Sequence, residues 1–492
     1  MKEAEQIRKA VAAIQRGDKR TAQRILARVL HFHPQHEEAW FWLAAAVDEL
    51  NRRRECLERV LEINPDNRDA QWVLLELDRG LGIAAPPRVS GTPQADVPPP
   101  PTGISGWWAH SGDRWLKRAV VVMAIIAVVW LLYEGWRLLW QAGPEGAVDL
   151  RNNHAVIQRW FAGEPVYSQV DVATYPPATY LFLWPFLGWL DLTSARWLWA
   201  GTAVAALAWL IREVVRASGA RSPAERLFVA FLPLSMYATG AALGNGQLIT
   251  HVLPVLVVGL SLVVRERGGW RTDLLGAALV LLALAKPSLA VPFLWIVLLV
   301  PGRVRPAALV AVGYAALTVW ATSFQPEGVV PLLRGWLELG SRLAVGAGEA
   351  NLHIALATLG WGEWLLPASF ALLIGFGVWT YRHRRTDLWL LVGVAALVAR
   401  FWTYHRWYDD LLILLPLVAL FRLTKQESAA GSERVAAALL LAAAVVTVLA
   451  PGGLYLFPPP WNTAYVTGQV LIWLAVLFFL GWQARRVEPE GT

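Results

Sequence analysis

Long apolar runs constrain this chain more than any other feature of its sequence. Residues 119–140 and 435–456 are almost wholly apolar, and each run reaches the roughly 20 residues that a helix needs to cross a hydrocarbon core. The chain of 492 residues is 56% hydrophobic and 16% charged and has 28 tryptophans, which is not the composition of a soluble globular protein. The sequence therefore predicts an all-α fold, in which a polytopic bundle of membrane helices is joined to a small soluble helical-repeat domain.

The apolar segments from residue 117 onward number about thirteen, so we expect 12–13 membrane segments. They are 117–140, 177–191, 194–215, 226–243, 247–264, 274–285, 287–300, 306–322, 363–381, 388–402, 408–423, 434–451 and 464–482. An odd number of full spans would put the two ends of the chain on opposite sides of the membrane. One segment is therefore expected to be partial or re-entrant, and the short candidates flanked by proline are 177–191 and the pair around Lys286.

The net charge of +7 reflects membrane topology. Acidic and basic residues balance over residues 1–83, so the basic excess lies in short loops of the membrane part. The positive-inside rule makes these loops and both termini cytoplasmic, and the charges do not indicate a nucleic-acid partner. Four polar connections are then expected on the outer side: 141–176, 244–247, 323–362 and 401–410.

The first part of the chain contains a repeat. Residues 25–44 align with residues 56–75, and each unit is predicted to be a helix, a proline-containing turn and a second helix. This pattern resembles tetratricopeptide repeats. Two such units stack into a small solenoid, which would be either a packed cap without a ligand or a docking module for a protein partner.

Composition also sets the expected domain boundaries. Residues 1–83 form the cytoplasmic tetratricopeptide-like repeats, and residues 84–116 form a proline-rich linker with few apolar anchors. Residues 117–483 form the membrane domain, and residues 484–492 form a cytoplasmic tail. The one cysteine, Cys56, excludes an intrachain disulfide and a cysteine-based metal site.

The outer connection 141–176 carries the first candidate residues. Asp149 precedes a segment with apolar residues on one face at helical spacing, which predicts an amphipathic helix at the outer interface. Asp149 is either the N-cap of this helix or a catalytic carboxylate. Asp171 is expected to be a solvated loop residue, with a role in the site as the alternative, and Tyr175 stands where two prolines lead the chain back into the bilayer.

Three further candidates lie in or beside apolar runs. Asn245 and Gln247 belong to a Gly-Asn-Gly-Gln turn between two spans, where their amides need hydrogen-bond partners. Lys286 lies inside an apolar run, and an intramembrane charge is costly unless it is paired or functional. Its ammonium group is expected either to reach the interface or to meet a phosphate.

Two more pairs lie in the outer connections. His405 and Arg406 stand among aromatic residues and suit an anionic head group, although an aromatic belt with salt-bridged ends gives the same pattern. Asn351 and His353 open a short outer helix, whose N-terminus would favour an anion. No sequence motif indicates a metal site or a cofactor.

The order of these motifs resembles that of glycosyltransferase family 87, the polyprenol-phosphate-mannose-dependent α-mannosyltransferases of the GT-C superfamily. In chain order they are VDLR, GEPVY, YPP, GNGQ, AKP, an outer helix with asparagine, and His405 before Tyr408. The resemblance covers about residues 120–480. The sequence differs from the family where RNNHAV follows the aspartate and where NLH replaces NQS, so the resemblance indicates the reaction type rather than the sugar or the acceptor.

The resemblance implies a membrane-embedded hexosyltransferase, with mannose as the expected sugar and no cofactor. Its donor would be a polyprenyl-phosphate sugar and its acceptor a lipid or glycan, on the outer face of a bacterial plasma membrane. Asp149, in the VDLR position, is implied as the catalytic base. Lys286 and His405 are implied at the donor phosphate, with Gln247 and Tyr175 lining the cavity.

Two other classes of protein share the many membrane helices. A transporter or flippase of lipid-linked sugars usually has inverted repeats between its halves, and none is evident here. A membrane-anchored assembly factor would recruit partners through the N-terminal repeats. It needs neither so many apolar segments nor the lysine inside one of them, so an enzyme is the leading interpretation.

Overall fold

Helices provide the regular secondary structure of the computed structural model, which describes residues 2–15, 18–80, 104–143, 145–265, 268–346, 350–426, 431–452 and 457–486. The predicted all-α, polytopic class is confirmed. The chain divides into two units, Met1–Pro99 and Pro100–Thr492. Each unit is described by itself below.

The first unit is built from antiparallel helical hairpins. Its described helices are α1 (Lys2–Gln15), α2 (Lys19–Phe32), α3 (Glu37–Ala46), α4 (Leu50–Ile63) and α5 (Arg68–Gly80). The pairs α2–α3 and α4–α5 are the two helix–turn–helix units that the repeat predicts. Leu26 and Leu57, at matching positions of the two repeats, are both fully buried. Each repeat therefore contributes the same helix face to the packed interior.

Matching side chains close the two proline-containing turns. The indole Nε1 of Trp40 donates to the carbonyl oxygen of Pro34 at 2.8 Å, and Nε2 of Gln71 donates to the carbonyl oxygen of Pro65 at 2.6 Å. Each bond joins the second helix of a unit to the turn before it. The repeat in the sequence is therefore accompanied by a repeated hydrogen bond, from the second helix of each repeat to the turn before it.

The second unit contains the remaining helices. They are α6 (Ile104–Leu139), α7 (Val148–Phe161), α8 (Pro177–Leu187), α9 (Leu192–Ala217), α10 (Pro223–Ser235), α11 (Tyr237–Asn245), α12 (Ile249–Val263), α13 (Trp270–Ala283), α14 (Pro287–Ala290), α15 (Leu294–Leu299), α16 (Arg305–Thr322), α17 (Val329–Gly346), α18 (Leu352–Thr358), α19 (Leu365–Arg382), α20 (Leu388–Phe401), α21 (Leu414–Lys425), α22 (Gly431–Val448) and α23 (Trp461–Arg486). Short 3₁₀ helices occupy Val291–Phe293, Gly362–Trp364 and Trp407–Ile413.

Length and composition identify five stretches of the described chain that are able to cross a membrane. They are Arg114–Leu139, Leu192–Ala217, Gly362–Arg382, Gly431–Val448 and Trp461–Arg486, and a sixth results if the bent pair α11 and α12 is counted as one span. The helices α20 and α21 are shorter, and almost all their side chains are buried. The unit therefore has a protein-enclosed centre surrounded by helices with apolar outer faces.

The sharpest helix interruption lies at the Gly-Asn-Gly-Gln turn. The axes of α11 and α12 meet there at 118°, so the chain turns back at this point rather than within 177–191, which the sequence suggested. Segment 177–191 instead contains the short helix α8, which has proline at its first position. Proline there fixes the backbone for helix entry without forcing a reversal.

A second interruption separates α13 from α14 at Lys286, as the sequence predicts. The carbonyl groups freed by this break have partners: Thr179 Oγ1 donates to Ala285 at 2.8 Å, and Trp402 Nε1 donates to Ser288 at 2.7 Å. Irregular backbone inside a membrane protein requires such bonds. The break is therefore a supported structure that holds Lys286 inside the unit.

The first helix of the second unit starts earlier than the sequence predicts. α6 begins at Ile104, so residues 104–116, assigned above to the linker, are helical. The prolines of the linker end at Pro101, and nothing after them interrupts a helix. Linker residues 84–103 and tail residues 487–492 lie outside the described residues.

Candidate active site

A cavity of about 740 Å³ brings together the four polar connections that the sequence assigns to the outer side. Each connection supplies at least one lining residue: Asp149, Gln247, His353 and Arg406. These residues are far apart in the sequence, and helix packing alone brings them into one hollow. The cavity is therefore the natural candidate for the active site.

Asp149 lies in the first turn of α7 and faces the cavity. As the apolar spacing predicts, α7 buries one face, which includes Leu150, Ile157 and Trp160. The alternative that Asp149 caps this helix is wrong. The N-cap is Ala147, which has φ 49° and no capping side chain, so the helix starts one residue before Asp149.

The surroundings of Asp149 favour a proton acceptor. Burial is the main influence on its carboxyl group and raises its pKa. A hydrogen bond from Gln247 and the charges of Lys286 and Arg406 lower this pKa, and the charge of Asp409 raises it. The net direction is upward, which makes the Asp149 carboxylate a stronger base than an exposed aspartate.

Gly246 allows the Gly-Asn-Gly-Gln turn to approach α7 closely. It adopts φ 73° at the end of α11, and a Cβ atom on it would lie 2.4 Å from Cβ of Leu150. Asn245, in the same turn, accepts a hydrogen bond from Arg137 at 3.3 Å. A glycine is therefore needed for both the backbone conformation and the contact.

Gln247 links Asp149 to Lys286. Its Oε1 accepts from Nζ of Lys286 at 3.2 Å and from the hydroxyl of Tyr175 at 3.4 Å. With the amide oxygen occupied in this way, the amide nitrogen is the atom that donates to Asp149. The predicted cavity residues Gln247 and Tyr175 thus form one connected hydrogen-bond group.

The ammonium group of Lys286 is paired with the carboxylate of Asp409, and both side chains are buried. The ring of Tyr408 lies 5.0 Å from its Nζ atom. Next to this pair, Asp410 is paired with Arg400, and that pair is buried as well. Charges in a low-dielectric interior need such partners, so Lys286 neither extends to the interface nor presents an uncompensated charge.

His405 and Arg406 are adjacent in sequence but differ in position. Arg406 lines the cavity beside Asp149 and Tyr404. His405 is fully buried behind the cavity wall, with Nε2 3.9 Å from Oδ1 of Asp410, and is not among the lining residues. Of the two, Arg406 is therefore the cation that can reach a ligand directly.

Asn351 and His353 have structural partners. As predicted, Asn351 opens α18, but its Oδ1 caps the helix by accepting from the amide of Ile354 at 3.0 Å, and it does not line the cavity. His353 does line it, with Nε2 2.7 Å from Oγ of Ser369. Because Ser369 Oγ donates to Trp402, His353 Nε2 donates to Ser369.

The loop before α8 forms one edge of the cavity. It is fixed by two hydrogen bonds, from Tyr167 Oη to the carbonyl oxygen of Tyr175 at 2.7 Å and from Trp336 Nε1 to that of Thr174 at 2.9 Å. Tyr175 is buried at the inner side of this edge. Asp171 is exposed at the outer side and still lines the cavity.

The polar residues of the site that sequence reasoning missed include Asn152, Asn153 and Asp409. The first two line the cavity and follow Asp149 by three and four positions, so they lie on its side of α7. The site therefore has two polar sides. We call them the α7 wall (Asp149, Asn152 and Asn153) and the ion-pair wall (Gln247, Lys286 and Arg406).

The rest of the lining is mostly apolar and reaches the outer surface of the unit. Leu337 of α17 and Leu366 and Phe370 of α19 line the cavity, and all three are exposed. α19 belongs to one of the stretches able to cross a membrane, Gly362–Arg382. The cavity thus joins its polar walls to an apolar side suited to a lipid chain.

Comparison with known proteins identifies one family. Residues 173–424 match the family model described as Glycosyltransferase family 87. This stretch contains the whole ion-pair wall and begins after Asp149. No curated protein and no solved structure matches the chain. Within the described ranges, no group of three or more His, Cys, Asp or Glu residues is arranged to hold a metal ion.

Proposed function

Because the chain belongs to glycosyltransferase family 87, we propose that it transfers a hexose, with mannose as the expected sugar, from a polyprenyl-phosphate donor to a lipid or glycan acceptor. One observation carries this proposal. The cavity that holds the Asp149 carboxylate also contains the Arg406 cation and opens along an apolar side formed with Phe370. A base, an anion site and a lipid path are the three features that such a reaction needs.

Asp149 acts as the general base in this mechanism. The acceptor hydroxyl oxygen attacks the anomeric carbon and forms the new glycosidic bond while the bond from that carbon to the phosphate oxygen breaks. The hydroxyl proton passes to Asp149, and the bonding electrons leave with the polyprenyl phosphate. A single displacement of this kind inverts the anomeric centre.

Arg406 stabilises the leaving phosphate as its negative charge grows. A preorganised cation in a water-poor site is effective at this task, because it needs no reorganisation during the reaction. The charge of Lys286 is compensated by Asp409. Lys286 acts indirectly, by orienting Gln247. The donor is a phosphate diester, and the polyprenyl phosphate monoester that leaves is a stable anion, so the mechanism needs no general acid.

The reaction takes place on the outer face of a bacterial plasma membrane in this proposal, with both termini in the cytoplasm. The arginine-rich short loops support this orientation through the positive-inside rule. The cavity is lined by all four polar connections that this topology assigns to the outside. On that face a lipid-linked donor, delivered within the membrane, takes the place of a soluble sugar nucleotide.

The N-terminal unit, in turn, is proposed to bind a protein partner and to have no part in transfer. Its succession of short helices supports this proposal, because stacked helical repeats provide binding surfaces. Deletion of residues 1–100 should therefore leave transfer by the purified protein within about twofold of the full chain. Loss of activity in the deleted protein would show that the unit supports catalysis.

Substitution of Asp149 tests the proposed base. We expect Asp149→Asn to lower transfer from undecaprenyl-phosphate mannose to octyl hexosides by about 10²- to 10⁴-fold, the usual contribution of a general base. Transfer is measured in liposomes with purified protein, and size-exclusion profiles verify folding. Asp171→Asn changes an exposed carboxylate at the edge of the same cavity and should have a milder effect. Full activity of Asp149→Asn would remove the proposed mechanism.

A further inference from the structure

Asn153 is a buried residue whose side chain lines the cavity. It follows Asp149 by one helical turn, and its side chain is on the same side of α7. Only 6% of the residue is exposed, and that part lines the cavity. Asn153 is therefore positioned to touch whatever the base at Asp149 acts on.

No hydrogen bond joins the side-chain amide of Asn153 to another described residue, and its polar atoms are open to the cavity rather than sealed in protein. Its neighbours on α7 are bonded: His154 Nε2 contacts the carbonyl oxygen of Leu190 at 2.8 Å, and Gln158 Nε2 donates to that of Leu187 at 3.0 Å. Polar groups inside native proteins almost always have a hydrogen-bond partner. The Asn153 amide is therefore available to a ligand that enters the cavity.

The surroundings of Asn153 define the chemistry of that ligand. Asn152 adds a second amide, and Asp171 adds a carboxylate at the exposed edge of the cavity. The lining cations, Lys286 and Arg406, belong to the ion-pair wall. An amide both donates and accepts, so it matches a hydroxyl group, which does the same. A phosphate offers only acceptors and would be repelled by the carboxylates.

We propose that Asn153 and Asn152 form a subsite for the hydroxyl groups of a saccharide, and that this saccharide is the acceptor of the reaction. The subsite extends the proposed function, and its assignment to the acceptor depends on that function. The donor phosphate lies at the ion-pair wall, the acceptor sugar at the α7 wall, and Asp149 receives the proton between them. Trp336, at the same cavity, offers an aromatic surface to the sugar ring.

Binding is tested without turnover. Wild type and variants are placed in lipid nanodiscs, and saturation-transfer difference NMR detects methyl α-D-mannopyranoside and methyl β-D-glucopyranoside, two neutral hexosides without a lipid chain. We expect binding of at least one hexoside by wild type and roughly tenfold weaker binding by Asn153→Ala. The control Arg159→Ala changes an exposed residue of the same helix and should bind as wild type does.

Asn153→Leu separates a binding role from a structural one. The substitution keeps the number and branching of the side-chain heavy atoms and removes an amide that has no partner among the described residues, so thermal stability should be unchanged or higher while hexoside binding is lost. A lower melting temperature would show that the amide supports the fold and would overturn the subsite. Absence of hexoside binding by wild type, or equal binding by wild type and Asn153→Ala, would also overturn it.

Asp149→Asn distinguishes this inference from the proposed function. That variant should still bind the hexosides, because it keeps both asparagines, and should lose transfer. If hexoside binding depends on Asn153 but wild type transfers no sugar, the subsite is supported and the proposed function is refuted. If transfer occurs and is insensitive to Asn153→Ala, the proposed function is supported and the subsite is refuted.

Discussion

The polar side chains of the two cavity walls differ in their hydrogen bonding. In the ion-pair wall, Lys286 is paired with Asp409, and Gln247 bonds to both Lys286 and Tyr175. In the α7 wall, Asn153 has no bonded partner among the described residues. A side chain held by several bonds, such as Gln247, is fixed and can orient a reacting group, whereas a side chain without protein bonds, such as Asn153, can bind a ligand. The difference gives Gln247 and Lys286 a positioning role and Asn153 a role in recognition.

The largest effect is expected where the ion-pair wall is broken. Lys286→Met leaves Asp409 buried without its partner, which should lower the free energy of unfolding by about 3–5 kcal/mol. The double variant Lys286→Met with Asp409→Leu should recover most of this loss, since no lone charge remains. Unfolding is followed in detergent. The control Arg486→Ala removes an exposed ion pair with Glu433 and should cost less than about 1 kcal/mol.

Equal free energies of unfolding for Lys286→Met and Arg486→Ala would contradict this prediction. They would mean that the buried Lys286–Asp409 ion pair does not stabilise the ion-pair wall.

The next effect separates the ligands of the two walls. Arg406→Ala should raise the KM for the polyprenyl-phosphate donor by about 10- to 100-fold, because a charged hydrogen bond contributes about 1.5–3 kcal/mol. The KM for the acceptor should change little. Arg334→Ala, an exposed cation of α17 that does not line the cavity, is the control. A selective rise of the acceptor KM in Arg406→Ala would reverse the assignment of the walls.

A smaller effect is expected where the walls touch. Gly246→Ala introduces a Cβ atom 2.4 Å from Cβ of Leu150 at a residue with φ 73°. We expect a loss of about 1–3 kcal/mol in the free energy of unfolding, with a fall in kcat because α7 carries Asp149. The control Gly201→Ala, in α9, meets no atom within 4 Å and should be neutral or stabilising. Equal behaviour of the two variants would show that the turn does not fix α7.

The smallest effect concerns pH. Burial raises the pKa of Asp149, and a base must be deprotonated, so kcat/KM should fall as the pH drops through this raised value. Gln247→Leu removes a hydrogen bond that lowers the pKa, and the acidic limb should move to higher pH. The other groups that act on Asp149 are Lys286, Arg406 and Asp409.

The control for the pH measurement is Gln158→Leu, whose side chain bonds to the carbonyl oxygen of Leu187 in α8. Its acidic limb should coincide with that of wild type. An acidic limb of Gln247→Leu that does not move, or that moves to lower pH, would show that Gln247 does not hold the Asp149 carboxylate.

Features that depend on local pattern were predictable from the sequence. Apolar length predicted a polytopic helical bundle, although five or six stretches of the described chain, not 12–13, are long and apolar enough to cross a membrane. Helical spacing identified the buried face of α7. The intramembrane position of Lys286 indicated a paired or functional charge, because an isolated charge there is costly. These features follow from residues that are close in the chain.

Features that depend on tertiary contact were not predictable. The partner of Lys286 is Asp409, and no local pattern connects two residues so far apart in the chain. The sequence allowed Asp149 as an N-cap because it did not indicate that Ala147 would adopt φ 49°, a conformation usual for glycine. No feature of the sequence singled out Asn153, and only the packing of α7 against its neighbours buries it.

The most direct test of the two-wall assignment is a cryo-electron microscopy structure of Asp149→Asn with undecaprenyl-phosphate mannose bound. We expect the phosphate beside Arg406, the anomeric carbon beside position 149, and the polyprenyl chain leaving over Phe370. The space next to Asn153 should remain free for the acceptor. A phosphate bound against Asn153, or a donor bound outside this cavity, would contradict the assignment of the two walls.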